Sequence, residues 1–111
     1  MSKVIIIGAG AAGIMAAVSA TLNGHTVSIY EKNNRIGRKL YITGKGRCNI
    51  TNASDIKTIM ENVVSNSKFL YSAFKQFDNK DIVEMLENAG CLTKVERGER
   101  VFPLSDKSSD V

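Results

Sequence analysis

The sequence predicts an α/β fold: an N-terminal βαβ unit, then a helical cluster and a short β-hairpin, all within residues 1–111. Three observations predict it. The apolar, β-branched run Val4–Ile7 leads straight into Gly8-x-Gly10-x-x-Gly13, and a second β-rich run, TVSIYEK, follows after a helical interval. From Asp55 to Gly90 apolar residues recur at helical spacing. Finally, LTKV and RVF flank the turn ERGE, as two antiparallel strands would.

Val4–Ile7 shows no polar alternation, which is expected of a strand buried on both faces of a parallel sheet. In the turn after it, Gly8 permits the sharp bend. Gly10 lets backbone N–H groups approach a pyrophosphate, and Gly13 lets the next helix pack closely on the strand. That helix is expected from Ala11 to Asn23, with Ile14, Val18 and Leu22 on one face and Gly24 ending it. Its N-terminus, with a partial positive charge and free N–H groups, points at the anion site. His25, in NGHT, reads as a solvated turn residue. The strand Thr26–Lys32 carries Glu31 near its end, with seventeen residues between Gly13 and Glu31. A carboxylate there accepts hydrogen bonds from ribose hydroxyls and repels a 2′-phosphate, so NADP is the least favoured nucleotide. Together these are the marks of a Rossmann-like dinucleotide-binding unit.

Residues 37–52, GRKLYITGKGRCNITN, hold three glycines, four cations, a cysteine and no acid. Lys32, Arg35, Arg38, Lys39, Lys45 and Arg47 are six of the fifteen cations, and no acid lies between Glu31 and Asp55. Nine other cations face eleven acids, a net of −2, so the +4 charge is one local patch on a slightly acidic body. A bound phosphate group suits that patch better than a broad nucleic-acid face.

Beyond it, Ile56, Ile59, Met60, Val63 and Val64 describe an amphipathic helix. Ser67 is placed to cap a second, with Phe69, Leu70, Ala73, Phe74 and Phe77 inward. Asp78 or Asn79 caps a third, with Ile82, Val83, Met85, Leu86 and Ala89 inward and Gly90 at its end. The hairpin of residues 92–102 is closed by Pro103. SDKSSDV reads as a helix start. With two parallel strands and no further parallel candidate, the doubly wound sheet is incomplete, and the chain reads as a truncated N-terminal part.

Apolar residues make up 43% of the 111 and charged residues 23%, as in a soluble domain with a modest core. No apolar run approaches the ~20 residues of a membrane span. No cleavage site follows VIII, so no signal peptide is expected. Cys48 and Cys91 lack CxxC spacing, which suits reduced thiols in a cytoplasm. Cys91 reads as core, and no metal site is expected.

KVIIIGAGAAG, Glu31, GRKLYITGKGRCNITN and GERVFPLSDKSSDV together resemble the bacterial NAD(P)/FAD-dependent oxidoreductases of the aminoacetone-oxidase-like group. The resemblance spans the whole chain and implies FAD as cofactor, with NAD(P)H a candidate electron donor. It implies that Gly8, Gly10, Ala11, Ala12 and Gly13 line the FAD pyrophosphate. Glu31 would hold the ribose, with Lys32 on the adenine side and Arg38 and Lys39 along the dinucleotide. Thr43–Asn49, including Gly46, Arg47 and Cys48, would run on toward the isoalloxazine ring, and Asn49, Thr51 and Asn52 would hold the loop by side-chain-to-backbone bonds. A longer protein with a substrate domain is implied, acting on small organic molecules such as amino ketones or unsaturated steroid-like rings.

The expected function is therefore the FAD-binding portion of a flavin-dependent oxidoreductase with a small-molecule substrate. No catalytic residue can be named from these residues, and neither nucleic acid nor membrane is an expected partner. The fragment alone is expected to be inactive, to hold FAD weakly at best, and to self-associate through unpaired edges. An NAD-binding dehydrogenase shares the first motif but would continue with alternating strands and helices after Glu31. A flavin-dependent RNA-modifying protein would use the basic loop to grip phosphate, though only Tyr41 lies among the cations. A non-catalytic scaffold is the remaining alternative.

Overall fold

In the computed structural model, which describes residues 1–111, KVIII forms strand β1 (Lys3–Ile7) and TVSIY forms β2 (Thr26–Tyr30). They pair in parallel, from Lys3 against Thr26 to Ile7 against Tyr30. Paired residues share a face, so Val4, Ile6, Val27 and Ile29 line one side, and Ile5, Ile7 and Tyr30 the other. Helix α1 (Ala11–Leu22) packs on the first side. It ends where Gly24, at φ 81°, donates its N–H to Thr21 O, and the His25 N–H reaches Ala20 O, each at 3.0 Å. The expectation of a strand buried on both faces is corrected here. Ile7 is 81% exposed and Ile5 57%, because α1 covers a single face. Leu22, expected on the packed face of α1, is also exposed. His25 is less solvated than expected, since its Nδ1 accepts the Ser2 N–H at 3.1 Å.

The basic stretch begins with structure where the sequence suggests an open loop. Gly37 donates to Ala9 O at 2.7 Å and opens a short helix, α2 (Arg38–Ile42). Residues Met1–Ile42 form one compact unit and Thr43–Val111 a second.

The second unit is built on a three-stranded antiparallel sheet ordered β3–β5–β4, with β3 at Thr51–Asn52, β4 at Thr93–Glu96 and β5 at Arg100–Pro103. The hairpin of β4 and β5 forms as expected, from Thr93 against Pro103 to Glu96 against Arg100. Strand β3 is an addition. Its two residues are too few to show a period, and they pair with Val101 and Arg100. Val101, Phe102 and Pro103 of the central strand are buried, with Cys48 and Leu86.

Leu86 belongs to α5 (Asn79–Asn88), which starts in a reciprocal cap. Asp78 accepts from the Lys80 and Asp81 amides, and Asp81 accepts from the Asp78 amide at 2.8 Å. Buried Asn79 donates to Asn52 O and Ser54 O at 2.7 and 2.8 Å, pinning the helix start to β3. Gly90 and Cys91 then close the helix on Glu87 O and Leu86 O.

The two preceding helices are shorter than their periodicity suggests. Asp55 caps α3 (Ile56–Glu61) by accepting the Thr58 N–H at 2.8 Å, but the helix stops before Val63 and Val64. Asn62 terminates it, donating from its side chain to Thr58 O at 2.8 Å, and the β-branched pair that follows favours extended backbone. Val64 is consequently exposed rather than core. Ser67 does not cap a helix. It lies in a 3-10 turn, Ser67–Leu70, ahead of α4 (Tyr71–Gln76). Three residues per turn break the four-residue alignment, which leaves Phe69 78% exposed and Phe77 partly so. Ala73 and Ala89, expected inward, are exposed too. The C-terminal SSD closes a 3-10 turn, Ser108–Asp110, with Ser108 buried.

Candidate functional site

The glycine turn is assembled from its backbone outward. Gly8, at φ 97°, continues the β1–β2 pairing by donating to Tyr30 O at 2.8 Å. A Cβ at Gly13 would run into the Gly8 carbonyl oxygen and stand 3.4 Å from Ile6 Cγ2, so only glycine lets α1 start this close to β1. At Gly10 a Cβ would meet nothing within 4 Å. Gly10, Ala11 and Ala12 are exposed, and their amides open a twelve-residue helix with no carbonyl four residues back in the helix to accept from them. That leaves donors and the positive helix end facing open ground, which suits a pyrophosphate.

Glu31 sits one residue beyond β2. Its Oε1 accepts from the Ala9 N–H at 2.9 Å and its Oε2 from the Asn33 N–H at 2.8 Å. These bonds, the Ala9 bond first, hold its carboxyl below the ordinary value of 4.5, and Lys32 adds to the effect. Each carboxylate oxygen keeps a lone pair for a ribose hydroxyl. Glu31 is thus fastened to the very turn whose ligand it would share. Among the cations, Arg38 donates from Nη1 to Asn33 Oδ1 at 3.2 Å, Arg35 lies 5.0 Å over the Tyr41 ring, and Lys32 and Lys39 are exposed.

The second unit holds the glycine-rich loop Thr43–Asn49. Gly44, Lys45, Gly46 and Cys48 have φ of 57°, 56°, 84° and 60°. A non-glycine residue in that region is uncommon, and here there are two. A Cβ at Gly44 would lie 2.7 Å from the Asn49 nitrogen and 3.2 Å from Phe102 Cε1. Inside the loop, the Arg47 N–H donates to Gly44 O and the Cys48 N–H to Thr43 O. Asn49 donates from Nδ2 to Thr51 O and Val101 O, and Asn52 from Nδ2 to Gly98 O. Those two asparagines work as the sequence suggests, whereas Thr51 contributes its backbone to β3. Cys48 is 1% exposed, so its thiol is enclosed in this unit. Cys91 is less buried than a core residue, and burial pushes its thiol up from the ordinary 9.0.

Arg47 has partners that its motif does not announce. Its Nη1 lies 3.0 Å from both Glu96 carboxylate oxygens and 3.1 Å from Asp106 Oδ1. Lys94 Nζ reaches the same two acids, at 3.2 and 2.7 Å. The guanidinium stands 3.9 Å from the centroid of the Phe102 ring. Arg47 and then Lys94 hold Glu96 below 4.5, while Lys94 and then Arg47 hold Asp106 below 3.8. Lys94, Glu96, Phe102 and Asp106 escaped the sequence reading because they lie dozens of residues from Arg47. Only Phe102 and Asp106 fall in the block GERVFPLSDKSSDV; Lys94 and Glu96 precede it, in the hairpin stretch LTKVERGE.

Gly8, Gly10, Ala11, Ala12, Gly13, Glu31, Lys32, Arg38 and Lys39 thus belong to the first unit, where a hydrogen bond joins Glu31 to the glycine turn. Thr43, Gly46, Arg47, Cys48 and Asn49 belong to the second. No helix is long and apolar enough to cross a membrane.

Comparison with known proteins matches residues 2–111 to the family described as the HI0933-like protein Rossmann domain. The whole chain is similar to a 3-dehydro-bile acid delta(4,6)-reductase of Clostridium scindens, 33% identical and covering 27% of that protein. It is also similar to ribosomal RNA dihydrouridine synthases. With that of Haemophilus influenzae it is 35% identical over 80% of this chain and 22% of the relative. With that of Escherichia coli it is 34% identical over 78% and 21%. The chain therefore spans about a quarter of the length of these relatives. A glycine turn fastened to the acid after β2, in a chain matched from residue 2 to residue 111, makes this chain a member of the HI0933-like Rossmann-domain family.

Proposed function

We propose that this chain is the FAD-binding portion of a flavin-dependent reductase whose substrate carries a carbon–carbon double bond conjugated to a carbonyl group. The observation that carries the cofactor reading is the coupling of the exposed amides at Gly10–Ala12 to an ionised Glu31 through Ala9. That pairing offers a pyrophosphate and a ribose their partners side by side. The substrate class rests on the relatives. A 3-oxo bile acid with 4,6 unsaturation and the uracil ring of uridine share a C=C joined to a carbonyl; the first relative is named a reductase and the second is named for the reduced base.

When bound, FAD supplies the hydride transfer. The chain supplies binding and orientation. Gly10, Ala11 and Ala12 hold the pyrophosphate from a turn that Gly8 and Gly13 shape, Gly8 having given its own N–H to Tyr30 O. Glu31 holds the ribose, and Lys32, Arg38 and Lys39 offset phosphate charge. Thr43, Gly46, Cys48 and Asn49 bring main chain to the flavin ring. Further strands and a substrate domain, with the groups that touch substrate, belong to the remainder of a longer cytoplasmic protein. NAD(P)H is its electron donor. An NAD-binding dehydrogenase is the weaker reading, because helices and an antiparallel sheet follow β2 here in place of further parallel strands.

A second reading, reduction of a base in ribosomal RNA, is favoured by the similarity to the two dihydrouridine synthases. The full-length protein separates the two. It should purify yellow and release FAD on heating. Under NADH or NADPH it should consume either a 4-en-3-one steroid or uridine in unmodified ribosomal RNA. Oxidation of an amino ketone with neither reduction would favour the narrower aminoacetone-oxidase-like grouping. A colourless protein that takes up no FAD would overturn the proposal.

A further inference from the structure

We infer that Arg47 is a positioning residue that clamps the 43–49 loop to the β-sheet, and does not itself neutralise a bound phosphate. The charge arrangement is the first reason. Two cations, Arg47 and Lys94, alternate with two acids, Glu96 and Asp106, at 2.7–3.2 Å, so the cluster closes on itself with no net charge. The guanidinium is also committed by shape. It lies 3.9 Å from the centroid of Phe102, a ring only 2% exposed, where a planar cation stacks and a lysine does not.

The loop's own geometry is the second reason. Left-handed residues at Gly44, Lys45, Gly46 and Cys48 make a conformation the backbone does not favour by itself. Within the loop, backbone bonds from Arg47 to Gly44 and from Cys48 to Thr43 contribute to holding it. The Asn49 side chain and the Ile50 N–H fasten the loop's far end to Val101. Arg47 grips the middle, beside buried Cys48, to the end of β4 and to Asp106 beyond β5. Releasing Arg47 should free the segment and open the Cys48 thiol to solvent.

The consequence for flavin rests on the proposed function, since that reading places this main chain along the ring. The clamp itself does not. The test uses the full-length protein with Glu96→Gln/Asp106→Asn, which keeps Arg47 but removes its acids, and with Arg47→Lys, which keeps the charge but loses the planar stack. Two quantities are measured: the rate at which N-ethylmaleimide labels Cys48, followed peptide by peptide, and the FAD dissociation constant with the visible flavin spectrum. For a positioning role, both variants should label Cys48 about tenfold faster. They should also release FAD more readily, with an altered flavin band.

Cys48 labelled at the wild-type rate in both folded variants would overturn the inference. So would FAD bound more tightly by Glu96→Gln/Asp106→Asn, because a freed guanidinium that improves binding is a direct phosphate contact. If the double variant fails to fold, Arg47→Lys alone decides by the same two readouts. A wild-type protein that binds no FAD ends the flavin reading only, and the Cys48 rates still decide the role of Arg47.

Discussion

Two residues carry opposite lessons about the dinucleotide turn. At Gly13 there is no room, because a methyl group would press on the Gly8 carbonyl. Gly13→Ala should therefore shift the start of α1 and destabilise by about 1–3 kcal/mol, as overpacking does. A lower urea midpoint together with weakened FAD binding would show it. At Gly10 there is open space, and Gly10→Ala should leave the urea midpoint nearly unchanged while weakening FAD binding. The sequence pattern alone announced both glycines and Glu31, because a tight turn and a facing acid are local requirements written at fixed spacing. It did not announce that the Ala9 and Asn33 amides hold Glu31. Backbone donors are present at every position, so their direction shows only in three dimensions. Glu31→Lys should cost the protein its flavin, and unchanged flavin content would count against the ribose assignment.

At the scale of elements, helix α5 and the β4–β5 hairpin were legible with their ends, whereas α3 and α4 were legible as helices but not in their bounds, for a physical reason. Asp78-x-x-Asp81 and the Gly90 terminus are end signals of α5 that act whatever surrounds them. In residues 62–70, by contrast, apolar spacing continued while Asn62, the Val63–Val64 pair and left-handed Asn66 interrupted the backbone. Two similar aromatics then come apart. Phe102→Ala should cost about 3–5 kcal/mol, whereas Phe69→Ala should stay within about 0.5 kcal/mol; urea denaturation measures both. The ionic clamp adds a pH dependence. Glu96 and Asp106 are lowered from 4.5 and 3.8, so their contribution is complete above those values and fades as pH falls through the lowered ones. Lys94 is raised from 10.5, so its share is complete below that value and fades as pH rises beyond it. The melting temperature should thus show a plateau with an acid edge, and Glu96→Gln/Asp106→Asn should flatten that edge.

Over the whole chain, composition suggested one domain with one modest core, and the structure has two units with the buried side chains gathered mainly in the second. Composition cannot show this, since it reports how many apolar residues exist and not how they are shared. Ile5, Ile7, Tyr30, Phe69 and Tyr71 all remain exposed. Produced alone, residues 1–111 should associate in sedimentation experiments, and Ile5→Lys/Ile7→Lys should reduce that association. The uncovered side of the β1–β2 pair also has a topological meaning. Crossovers between parallel strands are almost always right-handed, and α1 already roofs one side on the way from β1 to β2. A later crossover that roofs the Ile5–Ile7–Tyr30 side must travel the opposite way. The strand of such a crossover would be laid down beside β1, so the greasy side of this ribbon would set the direction in which a larger sheet could widen.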